Sequence, residues 1–440
     1  MDFLATPQRR RILFAALYFS EGAPIGFLWL ALPTRLRAAD VPLERITWLT
    51  AVLVIPWTLK FAWAPLVDAI QSGRWTLKHW VISAQTLMGV TLTPLIWVNP
   101  VDSMNVLSIL LIMHAAAAAT QDVAIDALCI SVTDPSERGR LNGWMQAGML
   151  SGRAAMGGGA LLMSSLLGDA AVVIILVAAT TLSGSLLLMS HLPRHQPQRD
   201  PNDGHEPAWQ RLEERQERDQ HPESLPLSSR IRQICRDLGR VFRQKNTWLG
   251  LLFALTAPAC FKAFEVVIGP FLIDRNYTSD EIGWFTAVIM IGAMIAGSVL
   301  GGHLADRFRR RYFVAGALVF IVISLTLLAG SDYLANEQRG NHLLVCIAMT
   351  ALGIGVFTVA LYALLMDLTT RSTAATQFSA FMGATNGCES WSTYTMGQVV
   401  AARGYGTGIL VLCGVSLAAL PLLSVLHRIH HQPHQKSHPS

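Results

Sequence analysis

The sequence predicts an all-α membrane protein whose twelve transmembrane helices form two pseudo-symmetric six-helix bundles. Three observations predict it. First, 52% of the 440 residues are hydrophobic and only 14% are charged, with a mean hydropathy of +0.40. A soluble chain carries about 25% charged residues. Second, twelve apolar stretches of roughly 20 residues, the length that crosses a bilayer, fall into two sets of six around one polar segment. Third, charge-bearing motifs recur between the two sets at nearly constant spacing.

The first stretch, 12–32, follows Arg9, Arg10 and Arg11 as a signal peptide would. It runs on without a small-residue cleavage site, so it reads as a retained span. Spans follow at 46–67, 78–97, 105–130, 140–166 and 170–191. In the polar segment, Ile231, Ile234, Leu238, Val241 and Phe242 recur at helical spacing among Arg230, Arg232, Arg236, Arg240 and Arg243. That pattern predicts a basic amphipathic helix lying on an anionic inner leaflet. The second set of spans is 247–272, 283–304, 312–330, 342–366, 374–400 and 406–427. The predicted organisation is an N-terminal bundle over 1–191, a cytoplasmic linker over 192–246, a C-terminal bundle over 247–427 and a His-rich cytoplasmic tail over 428–440. The tail histidines lack ordered ligand spacing and the six cysteines lack any CxxC, so neither a metal nor a disulfide is expected.

Of the 34 Lys and Arg residues, 25 fall on the side shared by both termini and six on the other, while Lys60, Arg153 and Lys262 lie within spans. The positive-inside rule places both termini in the cytoplasm. It also accounts for the net charge of +5 and pI near 9.0 without a nucleic-acid partner. No HExxH or GxSxG run supports a membrane-embedded transferase, so an enzyme is not expected, nor is a cofactor. The expected partners are a small-molecule substrate, protons and the lipid bilayer, with the chain acting as a monomer.

The repeat is carried by residues 302–311 (GHLADRFRRR), which close helix eight, and by 64–68 (APLVD) with Gly73 and Arg74 at the matching place in the first half. Asp306 follows Asp68 by 238 residues, and the pair Asp367 and Arg371 follows Asp134 and Arg138 by 233. Duplicated halves are how many transporters are built. The run resembles the loop signature G-x-x-x-D-R-x-G-R-R of the major facilitator superfamily, with Ala64 and Arg309 standing where glycines are expected. In that family the motif implies a cytoplasmic gate, assigned here to Asp68, Asp134, Arg138, Asp306, Arg307, Asp367 and Arg371.

Ionisable groups inside a bilayer are costly and mark a pathway by default. Here they are Glu21 in helix one, Lys60 in two, Asp122 and Asp126 in four, Arg153 in five, Lys262 and Glu265 in seven, and Glu389 in eleven. None lies in helices three, six, nine or twelve, the peripheral helices of the major facilitator fold. The pattern points to a polar central cavity. Lys60 precedes Asp68 by eight residues, as Asp126 precedes Asp134, so Lys60 is expected level with Asp126 and Asp122 and paired with one of them; a gate pair and a permanent structural pair both remain open. Arg153 is expected to face Glu21 or an anionic solute, and Lys262 to pair locally with Glu265 at i+3. Proton coupling needs a carboxyl that changes protonation state between two accessible sides. Glu21, flanked by Gly22, Pro24 and Gly26, is the first candidate, followed by Asp122, Asp126, Glu265 and Glu389. The glycines of helix five, Gly143, Gly148, Gly152 and Gly157 to Gly159, fit close helix packing.

Four runs are similar to the AmpG-like branch of the same superfamily, which includes muropeptide permeases, acetyl-CoA transporters and siderophore importers of the RhtX/FptX type. They are 21–26 (EGAPIG), 59–68 (LKFAWAPLVD), 119–127 (ATQDVAIDA) and 137–139 (ERG). The likeness lies mainly in helices one to five. Lys60, Asp68, Gln121, Asp122, Asp126 and Arg138 match the family runs, and Glu21 stands where a small or amide residue is expected. The resemblance implies proton-driven uptake of a sizeable polar solute, such as a muropeptide, a siderophore or an acyl-CoA-like compound, across a bacterial cytoplasmic membrane. Lys60, Gln121, Arg153 and Lys262 are then the cavity candidates. The alternatives are an exporter or a uniporter without proton coupling, and a transferase.

Overall fold

The computed structural model describes residues 2–70, 75–98, 101–133, 137–190, 236, 239, 242–305, 307–334, 339–369 and 374–430, and every regular element among them is helical. Helix α1 runs over Pro7–Ala38. It starts where the Thr6 hydroxyl accepts from the Arg9 amide and Pro7 takes the first helical position. Pro24 lies inside it without breaking it, and a π-helical turn follows at Phe27–Ala31. Then come α2 (Leu43–Ala69), α3 (Leu77–Leu92, ending in a 3-10 turn at Thr93–Ile96) and α4 (Met104–Val132). Helix α5 comprises Arg138–Met156 and Gly158–Leu167, interrupted at Gly157, and α6 is Asp169–Leu188.

The second half repeats the series. Helix α7 (Lys245–Ile273) is interrupted near Pro258, and α8 (Ser279–Leu304) opens with a capping box between Thr278 and Glu281. Helices α9 (Arg310–Leu334) and α10 (Asn341–Asp367) follow. The continuous run Ala374–Ala418 turns at Gly404, whose φ of 79° favours glycine. It divides there into α11 (374–403) and α12 (405–430). Among the described residues nine runs are long and apolar enough to cross a membrane. The run over Gln377–Val425 contains two expected spans, and the expected spans at 78–97 and 140–166 are those interrupted by the Pro94 turn and by Gly157. The expected basic helix near 230–243 and most of the His-rich tail lie outside the described residues.

Packing repeats with the period of six helices. In the first half α1 packs on α5, α2 on α4, and α3 on α4 and α6; in the second, α7 packs on α11, α8 on α10, and α9 on α10 and α12. The halves meet along α2–α11, α5–α8 and α1–α7. This is the major facilitator fold. Leu166, Leu182, Leu327 and Trp284 remain largely exposed on the outside, an apolar hull suited to lipid.

The tightest seam is α1–α5. Gly22 and Gly26 lie against the backbone of Met149 and Arg153, while Gly148 and Gly152 lie against that of Ala15 and Phe19. Such small-residue pairs let helices approach closely where lipid supplies no hydrophobic drive. Gly152→Val is expected to lower stability by about 1–3 kcal/mol through overpacking. Its melting temperature in detergent checks this; an unchanged value would mean that the seam yields.

Candidate functional site

Two groups of charged side chains occupy the interior; the first pairs Lys60 as its helical spacing suggests, and the second does not follow its spacing. In the first half, Lys60 of α2 donates to the Asp122 carboxylate of α4, and Tyr18 of α1 donates to Asp126. Tyr18 and Glu21 are one turn apart on α1, as Asp122 and Asp126 are on α4. Glu21 is buried with Asp122, Asp126 and Lys60 as its charged neighbours. One of its carboxyl oxygens, Oε2, is buried without a protein partner. Three carboxyls thus gather around one ammonium and one phenol.

The second group spans the two halves. Lys262 of α7 donates to Glu389 Oε2 of α11 at 2.6 Å, and the Trp29 indole of α1 donates to the same carboxylate. Glu389 is therefore the partner of Lys262, and the local pair with Glu265 is not made. The reason is rotational: on α7 the ammonium swings toward α11, leaving Glu265 to meet the first half. There Arg153 of α5 lies 3.6 Å from Glu265. Arg153 thus pairs with Glu265 and not with Glu21. A cavity of about 30 Å³ adjoins this pair, lined also by Gly26, Trp29 and Thr286. Trp29 stands edge-on to Trp57 of α2, ring centroids 5.7 Å apart, so aromatic walls flank the charged centre.

Gln121 stands apart from both groups. It is 0% exposed and shares, at i+7, the α4 face of His114, whose Nδ1 lies 3.3 Å from the Met88 carbonyl of α3. Neither Nε2 nor Oε1 of Gln121 has a hydrogen-bond partner among the described residues.

At the face where α1 begins, Arg10 pairs with Glu137 at 3.0 Å, and Arg310 pairs with Asp367 at 2.5 Å. Arg307 is exposed. The Asp68 and Arg138 side chains, Asp134, Asp306 and Arg371 lie outside the described residues. Between α5 and α8 this end carries a groove of about 550 Å³, lined by Gly143, Ala147, Leu150, Ile291 and Ile295 among others. At the opposite face the same two helices touch through Gly158 and Gly283. Along α5 and α8 the halves therefore touch at the far face and part at the near one. Among the described residues no group of three or more His, Cys, Asp or Glu side chains is placed to hold a metal.

Trp29, Trp57 and Tyr18 are not among the candidates read from the sequence. A signal existed for two of them: Tyr18 and Glu21, like Trp57 and Lys60, are three residues apart and share a face.

Comparison with known proteins extends the likeness beyond helices one to five. The sequence model described as Major Facilitator Superfamily matches residues 14–279 and 264–440. The anhydromuropeptide permease of Escherichia coli K12 is 23% identical over 433 residues, covering 95% of this chain and 80% of that protein. A putative transporter AmpG 4 of Rickettsia conorii is 23% identical over 418 residues, covering 92% of this chain and 94% of its own length. Among solved structures, a point mutant of the nucleoside transporter NupG superposes with a TM-score of 0.69 at 13% identity, covering 94% of this chain and 99% of that one.

Proposed function

The chain belongs to the Major Facilitator Superfamily, as a multi-pass permease and not an enzyme, and on that premise we propose that it imports a muropeptide-like solute with protons by alternating access. The observation that carries this reading is the buried gathering of Glu21, Asp122 and Asp126 around Lys60 and Tyr18. It has more acids than cations and lies within the membrane-spanning helices, beside the aromatic-lined centre where Trp29, Lys262, Glu265, Glu389 and Arg153 meet. The solute class follows the anhydromuropeptide permease that the chain resembles along nearly its whole length. The near face, rich in Lys and Arg, is assigned to the cytoplasm, which makes the conformation inward-facing.

With the far face open, a proton taken up among the three carboxyls lowers the charge of the cluster and lets the halves close over the solute. With the near face open, the cluster returns its proton to the cytoplasm as Lys60 re-forms its pair with Asp122. The test is uptake of anhydromuropeptide into proteoliposomes with and without an imposed pH gradient. Wild-type protein is expected to accumulate solute only with the gradient. Glu21→Gln is expected to lose accumulation by at least roughly tenfold while keeping solute exchange. Uptake indifferent to the gradient would reject the coupling, and absence of uptake for this solute would reject the solute class.

A further inference from the structure

We propose that Arg37, Asp274 and Tyr405 form the latch that holds the far face shut, with Asp274 as a fixed receiver and Arg37 as the moving bolt. The inference rests on the alternating-access reading above and adds the residues that set its resting state. Arg37 Nε, on the last turn of α1, donates to Asp274 Oδ1 at 2.6 Å, and the Tyr405 hydroxyl, at the start of α12, donates to Asp274 Oδ2 at 2.8 Å. One carboxylate at the end of α7 thus accepts from both halves of the protein.

Three ion pairs lie at this face among the described residues. Arg35 with Asp169 stays within the first half and Arg339 with Glu281 within the second; only Arg37 with Asp274 joins the two. At the near face the described pairs, Arg10 with Glu137 and Arg310 with Asp367, each stay within one half. Among the described pairs, the one ionic tie between the rims of the halves is at the closed end.

The receiver is braced by its own half. Beside Asp274, the Arg275 guanidinium lies 3.5 Å from the Phe271 ring centroid and 5.1 Å from that of Tyr405. Phe271 and Tyr405 meet edge to face at 5.2 Å. When the halves part, Asp274 keeps its Tyr405 bond and these aromatic supports, while Arg37 is released to water. Its only other described bond is to the Val41 carbonyl at 3.3 Å, in the turn that leaves α1. Beneath the latch, Thr34 of α1 seats against Gly269 of α7.

The test is the distance between spin labels at Ala39→Cys and Asp280→Cys, exposed positions on opposite halves of the far face, measured in proteoliposomes without solute or gradient. Arg37→Gln and Asp274→Asn are each expected to raise the ratio of long to short distances roughly tenfold. Tyr405→Phe should raise it less, and Arg37→Lys should keep the short distance because the charge remains. Wild-type distributions in both Arg37→Gln and Asp274→Asn would overturn the latch, as would Arg37→Lys behaving like Arg37→Gln. The transport reading fails separately, if wild-type protein neither takes up solute nor reaches a second conformer under any condition.

Discussion

Replacing Lys60 by Met is expected to abolish gradient-driven uptake and to lower stability by about 3–5 kcal/mol, because Asp122 is left as a buried charge without its cation. The two losses have different causes and separate by a second substitution. In Lys60→Met/Asp122→Leu the buried pair is replaced by apolar groups, which commonly restores or raises stability. Uptake should stay lost in the double variant, since the cluster then lacks both the ammonium and one of its three carboxyls. Thermal unfolding in detergent and uptake into proteoliposomes read the two quantities independently. Recovery of uptake with recovered stability would reduce Lys60 and Asp122 to a structural pair.

A second large effect is expected at Glu389, with the opposite sign for binding. Its carboxylate occupies the Lys262 ammonium at 2.6 Å and also accepts from the Trp29 indole. A solute carboxylate entering the centre must compete for Lys262 with this resident acid. Glu389→Gln keeps an acceptor for Trp29 but removes the competing charge, so the Kd for an anionic solute should fall roughly tenfold, a change of about 1.4 kcal/mol. Turnover should fall as well, because the solute held more tightly leaves more slowly. Titration calorimetry and initial uptake rates check both halves of this expectation. An unchanged or weaker Kd would show that Lys262 is not the cation the solute meets.

The bilayer explains which parts of this arrangement are legible in the sequence. Hydrocarbon excludes charge so strongly that Glu21, Lys60, Asp122, Asp126, Arg153, Lys262, Glu265 and Glu389 all emerge from one dimension, whereas buried His114 and Arg275 do not. The six-helix period of the packing is likewise written in the spacing of Asp68 and Asp306. Choice of partner is not. Lys262 prefers Glu389 on another helix to Glu265 on its own, and Arg153 meets Glu265 across the interface. Those preferences depend on how each helix is rotated about its axis, a quantity set by packing against its neighbours. Gln121 lies one residue along α4 from Asp122 and so about 100° around the helix from it, fully buried. The aromatic residues Trp29 and Trp57 carry no charge to betray them, and only the fold brings them together.

The glycine seam between α1 and α5 has a mechanical outcome. With Gly22 and Gly26 seated on the main chain of Met149 and Arg153, the two helices behave as a single plank that bears Glu21 on one side and Arg153 on the other. When that plank tilts, an acid of the proton cluster and a guanidinium of the central chamber must travel together. Under the proposed coupling, proton traffic and cargo traffic are geared by main-chain contact, with no chain of relaying side groups required between them.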